Sequence, residues 1–294
     1  METTTRRRVI FTADDFGLSE AVNGAVALAL RRGVLRCASL MVGAPQAAEA
    51  LALARQQPEL CLGVHLTLIQ GRAVLPPGQI PGLADARGYF SHHPVKTGLR
   101  YFFQPVLRPQ IRRELAAQME AVLAAGLTCW HVNGHLNLHL HPAVLPLVLD
   151  LAREYGIPAV RLAREDWRAT RSLAPDRPIY QAAHGLIFAW LSRRARRRVK
   201  AAGLLCNDHL FGLTNDGRMT EAYLLGLIPR LKAGVTEIYS HPALYPEAEL
   251  RRWTPAYRGQ EELAALLSPR LKAALADAGV EVSDFREMFL GGGG

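Results

Sequence analysis

The hydrophobic pattern switches between two periods along most of the chain. Val9-Ile10-Phe11 is a short apolar run and predicts a buried first strand leading into a loop at 12–17. Val22, Val26, Ala29 and Leu30 then recur at helical spacing. Ser19 can cap that helix and Gly33 can stop it, which predicts a helix over 20–32. A strand over 37–42, a helix from Pro45 to about 57 and a strand over 62–67 follow. In this third strand Leu62, Val64 and Leu66 share one face, and Gly63, His65 and Thr67 the other.

The stretch 70–94 is rich in Pro and Gly and long for an idle connection. The alternation returns with a helix over 110–125, a strand over 128–133, a helix from Pro142 to 155 ahead of Gly156, and a strand over 159–162. Residues 165–215 break the rhythm and read as an inserted helical region, either a cap, a membrane contact or a dimer arm. A helix over 220–232, a strand over 235–240, a last helix capped by Ser268 with Pro269 at its first position, and a short strand at Glu281-Val282 complete the pattern. About seven strands, most followed by a helix, argue an α/β protein with a parallel sheet, open or closed into a barrel. The reading is one domain over 1–294 with 165–215 inserted in it.

Composition changes this picture little. The chain has 294 residues, 49% of them hydrophobic, enough for a sizeable core without disulfides. The net charge of +9 favours acidic partners, without choosing among nucleic acid, an anionic membrane and a phosphorylated substrate. Cys37, Cys61, Cys129 and Cys206 lack CxxC spacing and read as reduced residues of a cytoplasmic protein. Arg6-Arg7-Arg8 leads into an apolar run too short for a secretory leader, and no stretch is long enough to span a membrane. The closing Gly291 to Gly294 run is expected to be a frayed tail.

Polar outliers fall where the strands end. Asp14 and Asp15 follow the first strand, His65 lies in the third, Asn133 and His135 follow the fourth, Arg161 lies in the fifth and His241 follows the sixth. In parallel α/β proteins, open or closed, functional groups gather at the carboxyl ends of the strands. Adjacent buried carboxylates repel one another and are costly to desolvate, a problem that a cation solves; capping the next helix is the structural alternative. Residues 131–142 hold four of the ten histidines, and a carboxylate with neutral imidazoles is a good donor set for Zn²⁺. For His131, His139 and His141 a supporting role fits better than ligation.

Taken together, Thr12-Ala13-Asp14-Asp15-Phe16-Gly17-Leu18-Ser19, Gly63-Val64-His65-Leu66, the segment from His131 to Pro142, and Ser240-His241-Pro242 resemble the motif set of the YdjC-like (ChbG-type) carbohydrate deacetylases. The resemblance runs in order along nearly the whole chain outside 165–215. It implies a distorted (β/α) barrel that removes N-acetyl groups from amino sugars with one divalent metal, Zn²⁺ as first choice and Mg²⁺ as second. It implies Asp15, His65 and His135 as metal ligands, Asp14 as general base and His241 as general acid. Arg161 would orient Asp14 or contact substrate; Asn133 and His139 would support the site or touch substrate. Many members of the family have Asp where this chain has Asn133. Within the family, Val9 to Asn23, Ala38 to Pro45 and His131-Val132-Asn133 are most similar to the hopanoid-biosynthesis-associated (HpnK-type) deacetylases, which implies an N-acetylglucosaminyl hopanoid, a glycolipid, as substrate.

Residues 184–191 are apolar and are followed at once by Arg193, Arg194, Arg196, Arg197, Arg198 and Lys200. Such a segment can lie on an anionic bilayer, here the inner face of the cytoplasmic membrane. Tyr101-Phe102-Phe103 offers a second contact. Packing on the barrel with a solvated basic face is the alternative. No nucleic-acid-binding motif accompanies the positive charge. A phosphoester metallohydrolase, a soluble chitooligosaccharide deacetylase and a catalytically inactive lipid carrier stay open at this point, as does a homodimer.

Overall fold

The computed structural model describes residues 6–291; Gly292 to Gly294 of the closing run lie outside them. The strands are β1 (Arg7–Phe16), β2 (Cys37–Leu40), β3 (Cys61–Leu66), β4 (His131–Gly134), β5 (Ala159–Val160), β6 (His209–Phe211), β7 (Gly234–Ser240) and β8 (Val280–Ser283). The helices are α1 (Glu20–Arg32), α2 (Ala47–Gln56), α3 (Pro94–Phe103), α4 (Arg108–Ala124), α5 (Leu145–Glu154) and α6 (Trp167–Leu173). They continue with α7 (Pro178–Ala201), α8 (Glu221–Leu227), α9 (Ala248–Trp253), α10 (Gly259–Leu267), α11 (Pro269–Asp277) and α12 (Phe285–Leu290).

All pairings between these strands are parallel, in the order β5-β4-β3-β2-β1-β7-β6. β8 pairs with the first half of β1 (Arg7 to Ile10), and β2 with its second half. A strand of ten residues, about 33 Å long, has room for both along one edge. The sheet curls until its ends meet. Val160 N donates to Leu205 O and Leu210 N to Arg164 O. The Asn207 amide accepts from Leu162 N and donates to Leu162 O, imitating a strand partner. The result is the distorted (β/α) barrel implied by the sequence.

Strand alternation sorts side chains between two environments. Val9, Phe11, Ala38, Leu62, Val64, Val132 and Ile238 face the surrounding helices in the main core. Ile10, Cys37, Cys61, Ala159 and Val235 form a second cluster closed by Phe285 and Met288 of α12. This is the apolar floor of the barrel interior. The layers above it are polar: Thr12, Ser39, His131, Glu237 and Arg161, then Asp14, His65 and Asn133, all buried. Gly63 is required there, since a Cβ would sit 2.4 Å from the His131 ring.

Three differences from the sequence pattern matter. β1 runs on to Phe16, where a loop is expected from 12. Eight strands form rather than about seven, because the mainly helical stretch 165–215 also supplies β6, a strand of three residues that is too short to show a period. The Pro- and Gly-rich stretch is followed by α3, and α4 pins that stretch in place: Glu114 accepts from Val74 N and Leu75 N at 2.9 and 3.0 Å.

Candidate active site

The site begins with an irregularity in β1. In a regular strand Asp14 and Asp15 would point to opposite faces. Here the register with β2 shifts between Ala13 and Phe16, and Asp15 has φ of +59°. That left-handed residue breaks the alternation and turns both carboxylates toward the barrel axis. Asp tolerates this conformation better than most residues. A second distortion follows β4: Leu136 and Asn137 have φ of +51° and +53°, and the chain turns sharply just after His135. Left-handed backbone at a bulky Leu is strained, and such strain concentrates at functional sites.

Asp14 is held by three hydrogen bonds from two residues. Arg161 donates to both its oxygens, at 2.5 and 2.9 Å, and Asn133 Nδ2 lies 3.2 Å away. Burial pushes the Asp14 carboxyl up, but the Arg161 guanidinium and His65 outweigh it and hold it well below the usual carboxylate range. Arg161 also donates to Glu237 Oε1 at 2.7 Å and lies over the Tyr239 ring. Thr12 Oγ1 donates to the same Glu237 oxygen. One buried cation is therefore shared between two buried carboxylates.

Asp15 Oδ1 lies 3.3 Å from His65 Nε2 and 3.2 Å from His135 Nδ1. Burial pushes its carboxyl up as well, and His135 and His65 hold it well below the usual range. One ligand atom from each of these three residues lies within 4.8 Å of the other two. In a tetrahedral site with bonds of about 2.0–2.1 Å the ligand edges are roughly 3.3 Å, so the donor set fits a small divalent cation.

The neighbours of His65 fix how its ring is used. The Asp14 carboxylate only accepts, so the Asn133 amide must face it with Nδ2, which also donates to Ser39 Oγ at 2.8 Å. That leaves Asn133 Oδ1 for His65 Nδ1 at 2.7 Å, and His65 must donate there. Its Nε2 is then the nitrogen left facing Asp15, at 3.3 Å, and the one placed to serve as a ligand.

His241 follows β7, with Asp216 Oδ1 3.7 Å from its Nδ1. Its backbone N–H donates to the buried Glu262 of α10 at 2.5 Å. Burial lowers the His241 pKa, but Asp216 and Asp15 outweigh it and the net shift is upward. The Tyr257 hydroxyl donates to Asp216 Oδ2.

Seven of the residues singled out from sequence thus converge: Asp14, Asp15, His65, Asn133, His135, Arg161 and His241. The remaining histidines of 131–141 lie elsewhere. His131 is inside the barrel, bonded to Ser39 and stacked on Phe285. His139 is buried under the site, with Nε2 3.0 Å from the Arg161 carbonyl, and so braces the backbone that carries the guanidinium. Burial pushes both rings down to about 3. His141 lies beside Phe102 and lines the cleft outside the cluster. Sequence reasoning missed Glu237, Ser39, Asp216 and Tyr257. Glu237 had a signal, a carboxylate between Thr236 and Ile238 in an otherwise uncharged strand; the other three had none.

The cluster lies where two depressions meet. One encloses ≈ 430 Å³ between α3, the turn at 134–138 and the first half of α7, with Val95, Leu136, Ile187 and Phe188 in its walls. The other, ≈ 180 Å³, reaches Asp15 and His241 from the side of residues 243–261.

Fold and sequence place the chain among homologues of carbohydrate deacetylases. It is 30% identical over 242 residues to the "Carbohydrate deacetylase" of Thermoanaerobacter pseudethanolicus, covering 82% of this chain and 83% of that one. It is also 40% identical over 97 residues to the protein of that description from Vibrio cholerae, covering 33% and 35% of the two chains. A solved structure from Enterococcus faecalis V583 shares the fold, with a TM-score of 0.73 and 24% identity over 96% of this chain and 99% of that one. The family described as "YdjC-like protein" matches residues 8–277, and the chain belongs to that family.

Proposed function

We propose that this protein is a metal-dependent N-deacetylase of an amino sugar. Its substrate is an N-acetylglucosaminyl glycolipid of the hopanoid class, taken to the glucosaminyl form during hopanoid biosynthesis at the cytoplasmic face of the membrane. The observation that carries the reaction class is the convergence of Asp15, His65 and His135 beside the Asp14–Arg161 pair, with His241 lining the same cleft. Homology to carbohydrate deacetylases supports it. The apolar wall of the larger depression and the likeness to the HpnK-type proteins support a lipid-borne sugar.

Asp15, His65 and His135 would hold the cation, Zn²⁺ by donor type. Such a cation polarises a carbonyl and lowers the pKa of bound water. Asp14, kept ionised by Arg161, takes a proton from the attacking water. His241, whose pKa Asp216 and Asp15 shift upward, donates a proton to the departing amine, which is a poor leaving group without one. Asn133 sets the tautomer of His65 and steadies Asp14.

Acetate release tests this reading, measured on N-acetylglucosaminyl bacteriohopanetetrol and on chitobiose with metal-stripped protein and after adding Zn²⁺ or Mg²⁺. Metal-dependent release from the hopanoid is the expected result. Release from chitobiose alone would make it a soluble chitooligosaccharide deacetylase. Release from neither by the metal-loaded protein would overturn the reaction class.

The Asn133 network makes a second prediction. Asn133→Ala frees the His65 tautomer and is expected to weaken Zn²⁺ binding by about 10–100-fold. Competition against a chromophoric chelator measures it, and unchanged affinity would show that Asn133 has no part in preparing the site.

A further inference from the structure

α3 and α7 flank the mouth of the larger depression, and both leave large apolar side chains in solvent. On α3 and the turn after it these are Val95, Leu99, Phe102, Phe103 and Val106, from 52% to 76% exposed. On α7 they are Ile179, Leu186, Ile187 and Trp190, from 55% to 85% exposed. Val95 and Ile187 belong both to this surface and to the wall of the depression, so the active-site entrance opens within it.

The α7 positions are ordered along the helix. Residues 179, 183, 186, 187, 190, 193, 194 and 197 recur at helical spacing and form a single stripe about 27 Å long. The opposite face packs inward through Gln181, Gly185, Ser192, Ala195 and Val199. The stripe begins apolar and ends in Arg193, Arg194 and Arg197, with Trp190 at the change and the Arg194 guanidinium 4.9 Å from its ring centre. Arg193, Arg194, Arg197, Arg198 and Lys200 make no salt bridge among the described residues. No Asp or Glu occurs from 86 to 113 or from 177 to 207, the two stretches that hold these helices. No described helix is long and apolar enough to cross a membrane.

We propose that α3 and the 179–197 stripe of α7 form a docking surface for an anionic lipid bilayer, which seats the active-site mouth against the headgroups. An interfacial helix needs apolar side chains to enter the acyl boundary, Trp at that boundary and unpaired cations against lipid phosphates. A helix with an apolar first half and a basic second half supplies them in that order. Solvent alone would not favour five apolar side chains on α3 and the turn after it beside four on α7. The absence of carboxylates removes the repulsion that would oppose an anionic surface. The proposal deepens the reading of a lipid-borne substrate, and its test does not depend on deacetylation.

The test is vesicle cosedimentation of the full chain, using phosphatidylcholine vesicles with and without about one-third phosphatidylglycerol. The protein is expected to bind the anionic vesicles at low salt, at least about tenfold more weakly in the neutral ones, and progressively less as salt rises. Arg194→Gln with Arg197→Gln is expected to weaken binding about 30-fold, and Leu186→Glu with Trp190→Glu at least about tenfold. All four positions are exposed and outside the depression, so the melting temperature should hold in both variants and show that the fold is intact. No binding at low salt, equal binding to neutral vesicles, or self-association through this face in place of vesicle binding would overturn the proposal. Preferential binding to an oligonucleotide, lost in the arginine variant, would do the same. Vesicle binding without acetate release would leave the docking surface standing and remove only the enzymatic reading.

Discussion

Arg161→Met is expected to cost about 3–5 kcal/mol of folding stability at neutral pH, because it leaves two buried carboxylates sharing no cation. Arg161 meets Asp14 at 2.5 Å and Glu237 at 2.7 Å, and all three side chains are buried. Methionine fills much of the same volume, so packing alone would cost far less. The pH dependence separates the two causes. In the native protein the Asp14 pKa is depressed, so its pairing stabilises the fold above the unfolded carboxylate pKa, and that contribution is lost as the pH falls from there through the depressed folded value. In the variant, burial without the guanidinium raises the carboxyl pKa values in the folded state. Its destabilisation then grows as pH rises above the unfolded value. Both trends act in one direction: the gap between the two proteins is widest near pH 7 and narrows toward pH 4. Urea unfolding at several pH values measures it. A gap that does not change with pH would show that Arg161 matters through packing and that the shared-cation arrangement contributes little. Arg161→Lys should recover only part of the loss, since one ammonium cannot reproduce the paired contact to Asp14 while reaching Glu237.

Glu237 also marks where reading the sequence stops. The succession of the main strands along the chain was legible, and period-2 alternation in 62–67 separated Leu62, Val64 and Leu66 from Gly63 and His65, which the fold turns inward. Most of the cluster was legible too, because charged and imidazole side chains at strand ends have few structural uses. Three things were not. The turn of Asp15 into the barrel depends on one backbone angle, and no side-chain pattern encodes it. β6 is three residues long, below the length at which a period can be seen. Asp216 and Tyr257 come from irregular segments whose positions depend on how the loops after β6 and β7 fold over the site. The choice among the histidines of 131–141 needed structure for the same reason. The left-handed pair Leu136-Asn137 sends His135 toward Asp15 and His139 beneath Arg161. Spacing allowed a helical and an extended reading of this segment, and the chain takes 3-10 helix over His135–Leu140, broken by that left-handed kink.

Asp14→Asn should separate proton transfer from cation binding. Asparagine matches the carboxylate in shape, so the barrel interior should stay packed, and Arg161 keeps Glu237 as its partner. Asp15, His65 and His135 are unchanged, and Zn²⁺ affinity should stay within a few-fold of the original. What the amide cannot do is take a proton from water. Acetate release should therefore fall about 10³-fold or more in kcat, with little change in KM, at every pH at which the native protein works. His135→Ala should instead lose Zn²⁺ affinity and activity together, because two donors remain where three converged. A chelator competition assay and an acetate assay on the same two variants give four numbers, and the proposed roles require them to differ in this pattern. If Asp14→Asn kept more than about a tenth of the native kcat, the base would have to be sought elsewhere in the cleft. The Asp14–Arg161 pair would then be only part of the buried charge arrangement around Arg161. If instead Asp14→Asn lost Zn²⁺ as completely as His135→Ala, Asp14 would belong with the ligands. The division of labour between the two adjacent carboxylates would have to be redrawn, together with the reason for the left-handed turn that brings them to one side of the strand.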